Sequence, residues 1–405
     1  RRCAFRAAPK RRKIGDDGLN FSNLLNNTLT DLPPSGIRKL FDIAATMDDV
    51  ISLGIGEPDF PTPWHVRNVA INTLEKSRTK YTANAGMIEL RQEISRYLQR
   101  RFNLSYKADK QILVTVGGSE AIDLTMRAFI KPGDEVIVPL PSFVCYGPLA
   151  AMCGAKVVNI NMRAEDNFKL TPELLKNAIT DKTKLLVLPF PNNPTGSIME
   201  KSDLEAIADV LRGTDILVLS DEIYSELNYT STRHISIAEI PDMKERTILV
   251  NGFSKTYSMT GWRLGYVCAE PEVITQLTKL HQYAIMCAPT TSQFAAIEAI
   301  KNGDEDVRLM REEYNYRRKF IVNGFNKLGL TCFEPLGAFY CFPCIKSTGM
   351  TSEEFCNKLL TQEKVAIVPG GAFGESGEGY VRVSYAYSID HIKKALDAIA
   401  RFLNN

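Results

Sequence analysis

The chain has almost no net charge: 49 lysines and arginines stand against 47 aspartates and glutamates in 405 residues. Without a global field it has no electrostatic pull toward nucleic acid or an acidic membrane. No apolar run approaches the roughly 20 residues that cross a bilayer, so the sequence predicts a soluble protein. Histidine is scarce, and His65, His234, His281 and His391 show no HxxxH or HExxH spacing, so no metal site is expected. The nine cysteines are scattered and odd in number. No secretory segment precedes them, which predicts reduced thiols in a cytosol-like compartment. Cys341 and Cys344 form a CxxC without the second ligand pair that zinc needs, and read as packed side chains. No GxGxxG follows a strand and no Gly-Lys-Ser/Thr loop occurs, which removes nicotinamide and P-loop chemistry. Internal repeats and low-complexity stretches are missing as well.

What is present is an ordinary globular composition, 44% hydrophobic and 24% charged, long enough for two domains. Residues 1–20 differ: Arg1-Arg2, Arg6 and Lys10-Arg11-Arg12-Lys13 make a basic segment without an apolar h-region. It reads as a disordered extension, with an organelle-targeting remnant, a cloning remnant or a nucleic-acid-contacting tail as its possible origins. From Ile112 onward, short β-branched runs alternate with amphipathic stretches. Strands are predicted at 112–116, 135–138, 184–188, 216–219 and 247–250, and helices at 119–130 and 201–211. This alternation predicts an α/β sheet, mostly parallel, with ligands at the strand C-termini. One long helical stretch is expected over 291–328. Beyond it, strands at 337–342, 366–368 and 380–384 and helices at 352–363 and 389–403 predict an α+β end segment.

Four short patterns stand out in order. They are Asn192-Asn193-Pro194-Thr195-Gly196, Ser220-Asp221-Glu222-Ile223-Tyr224, Ser254-Lys255-Thr256-Tyr257 with Arg263 eight residues beyond Lys255, and Tyr380-Val381-Arg382-Val383-Ser384. Together they resemble the class I/II pyridoxal-phosphate-dependent aminotransferase family. The resemblance implies fold type I: a large domain on a mostly parallel seven-stranded sheet, plus a smaller α+β domain. It divides the chain into the extension 1–20, a segment 21–55 joining the small domain, the large cofactor-binding domain 56–290 and the small C-terminal domain 291–405. It also implies a cytoplasmic homodimer.

By the same resemblance each part of pyridoxal 5′-phosphate has a partner. The aldehyde takes the amine of Lys255, which then moves the proton at the substrate's α-carbon. Its ordinary pKa of about 10.4 must fall for that. The pyridine nitrogen takes Asp221, whose bland alternative is a helix N-cap. Asn193 and Tyr224 take the phenolic oxygen, although Asn192-Asn193-Pro194 alone would be only a turn. The phosphate takes the Gly117-Gly118-Ser119-Glu120 strand-to-helix turn, with Ser254 and Arg263. Phe143 stacks on the ring where many relatives have tryptophan, or is mere core. Arg382 forks onto the substrate carboxylate with Gly56 beside it, and Tyr81 reaches the phosphate of a neighbouring subunit.

The predicted reaction is ping-pong amino transfer from an L-amino acid to a 2-oxo acid, with 2-oxoglutarate in one half. Ser119 stands where many aspartate enzymes of this subgroup have lysine. Stretches such as Asn84-Ala85-Gly86, His281-Gln282-Tyr283 and Glu378 to Ser388 are similar to bacillus-type N-acetyl-LL-diaminopimelate aminotransferases of lysine biosynthesis. Arg38 is the candidate cation for a distal carboxylate, or simply a charge at a helix start. Aspartate, alanine or aromatic aminotransfer, C–S lyase or aminocyclopropanecarboxylate synthase chemistry, and a non-catalytic cofactor-binding regulator are the alternatives. The regulator would need a DNA-binding domain ahead of the fold.

Overall fold

The computed structural model describes residue 21, residues 24–32 and residues 47–404. The expectations for residues 1–20 and for Arg38 lie outside them. The chain divides into two compact units, residues 1–34 and 35–405. The described part of the first holds a single helical turn, Asn27–Thr30, whose first turn is capped by the Asn26 side chain accepting from the Thr28 N–H.

In the second unit the short strand β1 (Ile51–Ser52) precedes a seven-stranded sheet. Its strands are β2 (Ile112–Thr115), β3 (Glu135–Leu140), β4 (Lys156–Asn161), β5 (Thr183–Leu188), β6 (Leu217–Asp221), β7 (Thr247–Gly252) and β8 (Gly265–Cys268). They lie in the order β2-β8-β7-β6-β5-β3-β4, and only β8 runs antiparallel to its neighbours. Both faces are covered, so the inner strands are continuous apolar runs. Alternate residues still go to opposite cores. Ile137, Leu186, Leu188 and Val218 pack with the helix Lys201–Leu211. Val136, Val138, Leu185, Val187 and Leu219 pack with the helices Gly117–Phe129 and Pro271–Ala284.

The chain leaves β3 for the edge strand β4, then returns to β5 on the other side of β3. Connections that diverge in this way open a crevice at the strand C-termini, where ligands of such sheets bind.

The remaining strands are β9 (Tyr340–Cys341), β10 (Val365–Ala366), β11 (Val368–Pro369) and β12 (Val381–Ser384). β9, β12 and β11 form an antiparallel sheet, and β10 pairs in parallel with β1. Leu53, Phe339, Val365, Val383, Ile392 and Ile399 share a core there. Three expectations need correction. The strand over 337–342 shrinks to two residues, and that over 366–368 is divided between β10 and β11. The helical stretch over 291–328 is two helices, Thr290–Asn302 and Asp304–Lys327. They part at Gly303, after which Asp304, Glu305 and Asp306 place negative charge on the free N–H groups of a new first turn.

The segment after β1 is tied to the second of these helices. Arg317 Nη1 bonds both Asp59 carboxylate oxygens at 2.8 Å, and its guanidinium lies 5.0 Å from the centre of the Phe60 ring.

Candidate active site

A cavity of about 650 Å³ opens at the strand C-termini. Gly118 and Ser119 follow β2, Phe143 and Tyr146 follow β3, and Asn193 follows β5. Asp221 ends β6 with Tyr224 just beyond, and Ser254, Lys255 and Arg263 follow β7. Gly54 and Gly56, after β1, close one side, while Tyr340 and Arg382 reach in from β9 and β12.

Lys255 Nζ donates to the Gly56 carbonyl at 2.6 Å. Burial pulls its pKa from 10.5 down to about 8. Glu57 opposes that fall, while the cations Arg382 and Arg263 add to it. Asp221 Oδ2 accepts from the Tyr146 hydroxyl at 2.7 Å, and Oδ1 from the Ile223 N–H at 3.2 Å. Burial raises the Asp221 pKa, and these two hydrogen bonds hold it back. A turn rather than a helix follows Asp221, so the N-cap alternative drops out. Tyr224 is buried, its hydroxyl 2.9 Å from that of Tyr340.

Arg382 is 4% exposed between Val381 and Val383. Nη1 donates to Asn193 Oδ1 at 3.1 Å and Nη2 to the Gly54 carbonyl at 2.5 Å. Its Nε is buried without a hydrogen-bond partner. The guanidinium sits between the rings of Tyr340 and Phe373, 4.7 and 5.0 Å from their centres. Burial lowers its pKa. A buried polar nitrogen without a partner is costly and marks a place for a ligand atom.

The turn after β2 is a cradle for an anion. Gly117, at φ +76°, has the left-handed backbone that glycine tolerates. A Cβ there would lie 2.6 Å from Arg263 Nη2. A Cβ on Gly265 of β8 would lie 2.6 Å from the Gly117 carbonyl carbon and 2.7 Å from the Gly118 nitrogen. Bare backbone on both sides therefore seats the helix start beside β8, with its free N–H groups at the cavity. Arg263 itself has φ +50°, a strained conformation typical of functional loops. Its Nη1 donates to the Thr260 carbonyl at 2.9 Å.

Among the described residues, Lys255, Arg263 and Arg382 form no ion pair, and Asp221 is the one carboxylate lining the cavity with them. Three cations facing one buried carboxylate fit a ligand carrying several negative charges. Pyridoxal phosphate with an amino-acid carboxylate is such a ligand, and the Arg382 Nε and the glycine cradle offer it unfilled hydrogen-bond capacity.

Two expected residues lie elsewhere. The Glu120 carboxylate accepts from the Val116 N–H at 2.5 Å and meets His281 Nδ1 at 2.7 Å. It does not line the cavity, so only its backbone N–H remains for a phosphate. Tyr81 is 83% exposed and does not line the cavity of its own chain. Phe143 does line it, edge-on to Tyr146 with ring centres 6.1 Å apart. Sequence reasoning missed Tyr146, Tyr340 and Gly54. The one available signal was the spacing of Tyr146, three residues past Phe143. Among the described residues no cluster of three or more His, Cys, Asp or Glu could hold a metal, and eight cysteines are free.

The family model "Aminotransferase class I and II" matches residues 48–399. The chain belongs to this family. It is 51% identical over 383 residues to YugH of Bacillus subtilis, a protein named as an aminotransferase without a substrate (95% of this chain, 99% of that one). It is 45% identical over 381 residues to an aspartate aminotransferase of Pyrococcus abyssi (94% and 98%). It is 44% identical over 381 residues to a "probable N-acetyl-LL-diaminopimelate aminotransferase" of Bacillus subtilis (94% and 96%). A crystal structure titled Pyrococcus protein-A1 superposes with a TM-score of 0.91 at 45% identity, covering 93% of this chain and 98% of that one. The protein is a fold-type-I transaminase of a pyridoxal-phosphate-dependent family, acting on amino acids and 2-oxo acids.

Proposed function

We propose that this aminotransferase moves the amino group of N-acetyl-LL-diaminopimelate to 2-oxoglutarate by a ping-pong route, as a homodimer in a reducing cytoplasm. The observation that carries the catalytic reading is the set of three cations without carboxylate partners around Asp221. When bound, pyridoxal 5′-phosphate supplies the electron sink that makes an amino acid's α-proton labile.

The chain's own groups do the rest. Lys255 is the cofactor-bearing lysine. With its pKa near 8 a useful fraction is neutral at physiological pH, and Nζ can take and return the α-proton. Asp221 holds the proton on the ring nitrogen. Asn193 and Tyr224 would hold the cofactor's phenolic oxygen, and Phe143 would offer its ring to the pyridine. Arg263, Ser119, Ser254 and the N–H groups at Gly118 and Glu120 would hold its phosphate. Arg382, oriented by Asn193, forks onto the substrate carboxylate beside Gly56. Tyr81 serves the phosphate of a second copy. Tyr81, Trp64, Leu74 and Tyr283 are large side chains left exposed in a single copy, which supports a second copy without placing it.

Support for the donor is the 44% identity to the diaminopimelate relative and serine rather than lysine at position 119. The 45% identity to an aspartate enzyme supports aspartate as the second reading. Arg38 remains the proposed partner of a distal carboxylate. Measuring kcat/KM for N-acetyl-LL-diaminopimelate, aspartate, alanine and phenylalanine, each with 2-oxoglutarate, decides the matter. A tenfold preference for any simple amino acid overturns the donor and leaves the transaminase intact. Release of pyruvate or a thiol without glutamate would point to lyase chemistry.

A further inference from the structure

Tyr340 lines the cavity yet is only 1% exposed. Its hydroxyl lies 2.9 Å from that of Tyr224, and either can be the donor. Among the described residues neither hydroxyl has another hydrogen-bond partner within the protein. Two hydroxyls bring two protons to one shared bond. One proton is used between them, and the other is free for an acceptor in the cavity. Which tyrosine offers that free proton depends on which one donates inward.

The surroundings fix Tyr340 and leave Tyr224 nearer the chemistry. The Tyr340 hydroxyl sits over Gly56, where a Cβ would come within 2.5 Å of it, so the bare glycine makes room for that oxygen. Its ring lies under the Arg382 guanidinium, 4.7 Å from the ring centre to the guanidinium carbon. Tyr224 follows Asp221 by three residues, in the turn after β6. We propose that Tyr340 is a positioning residue. It donates its proton to Tyr224, so that the Tyr224 proton points at the cofactor's phenolic oxygen, and its ring seats Arg382 for the substrate carboxylate. Hydrogen bonds in such a row polarise one another, so Tyr224 is a stronger donor with Tyr340 behind it than alone.

This inference rests on the assignment of Tyr224 to the phenolic oxygen, and the test separates the two. The readout is the pH titration of the visible absorption band of the cofactor-loaded protein. Its midpoint rises when the anionic phenolic oxygen loses a donor. Tyr224→Phe should raise the midpoint. Tyr340→Phe, which keeps the ring, should raise it by roughly half a unit, about the effect of one weakened hydrogen bond. The double variant should match Tyr224→Phe alone, because Tyr340 acts only through Tyr224. An unmoved midpoint in Tyr224→Phe overturns the assignment of Tyr224 and the inference with it. A moved midpoint there, with none in Tyr340→Phe or with additive shifts in the double variant, overturns the inference alone.

For the ring, Tyr340→Leu should raise the KM of the amino donor several-fold, while Tyr340→Phe leaves it within twofold. Equal KM values in the two variants overturn the seat for Arg382. Thermal melts of each variant show whether it is folded before it is read.

Discussion

The Tyr146 hydroxyl and Asp221 Oδ2, 75 residues apart in sequence, meet at 2.7 Å beneath the cavity. The bond favours the ionised carboxylate that burial otherwise disfavours. Tyr146→Phe leaves the packing intact and removes the donor, so the Asp221 pKa should climb further. Hydrogen bonds to charged groups contribute on the order of 1.5–3 kcal/mol. Pyridoxal phosphate should therefore bind about ten- to a hundredfold more weakly in a fluorescence titration of cofactor-free protein, with a comparable fall in kcat. Asp221→Ala should retain partial cofactor binding and lose most turnover.

Arg382 to lysine keeps the charge and loses the fork. A lysine offers one nitrogen on a flexible stem and does not reproduce the planar fork that serves Asn193, the Gly54 carbonyl and a carboxylate beside the Tyr340 and Phe373 rings. Its KM for amino donors should rise by about one to two orders of magnitude, with a smaller change in kcat. Equal falls in kcat and kcat/KM, with KM unchanged, would mean that the arginine acts on the transition state instead.

Lys255 gives the cofactor-free protein a pH-dependent weakness. Its folded pKa of about 8 lies below the ordinary 10.5. Between those values the unfolded chain holds more protons, so this group makes stability rise with pH. The penalty is fully present below pH 8 and vanishes above 10.5, and amounts to on the order of 3 kcal/mol. Cofactor-free Lys255→Met should therefore melt above the parent protein at pH 7, and the gap should close as pH climbs through that window. A gap that ignores pH would contradict the lowered pKa.

Tyr81 and Lys255 offer a test of shared sites. If Tyr81 serves a second copy, inactive Tyr81→Ala and Lys255→Ala chains should regain part of the activity when mixed and reassociated. Subunit exchange monitored by labelled chains, with no recovery, would remove Tyr81 from the site.

That Asn193, Asp221, Tyr224 and Lys255 converge on one cavity was legible because strand-end position and local motif coincide at each. The spacing of apolar runs was enough to place β5, β6 and β7 in one sheet. The antiparallel β8 escaped because Gly265-Tyr266-Val267-Cys268 is short and holds a single β-branched residue, unlike the β-branched and leucine-rich runs of β2 and β7. Tyr340 was hidden for another reason. It reaches Arg382 only through the pairing of β9 with β12, where Ser384 opposes Tyr340, and no local pattern encodes a register across some 40 residues. The Gly54 carbonyl was invisible too, since any residue type supplies a carbonyl, and Gly56 was expected beside the substrate carboxylate rather than on Lys255. The Glu120 carboxylate goes to Val116 and His281 instead of the cavity, because a motif names a residue without saying whether its side chain or its backbone is used.

The Arg317–Asp59 tie has a mechanical consequence. The strap from Gly54 to Phe60 carries at one end the two carbonyls that hold Lys255 and Arg382. At its other end it is clamped to the 24-residue helix Asp304–Lys327. Any shift of that helix would pull on the strap, and through it on the aim of the amine and the guanidinium together.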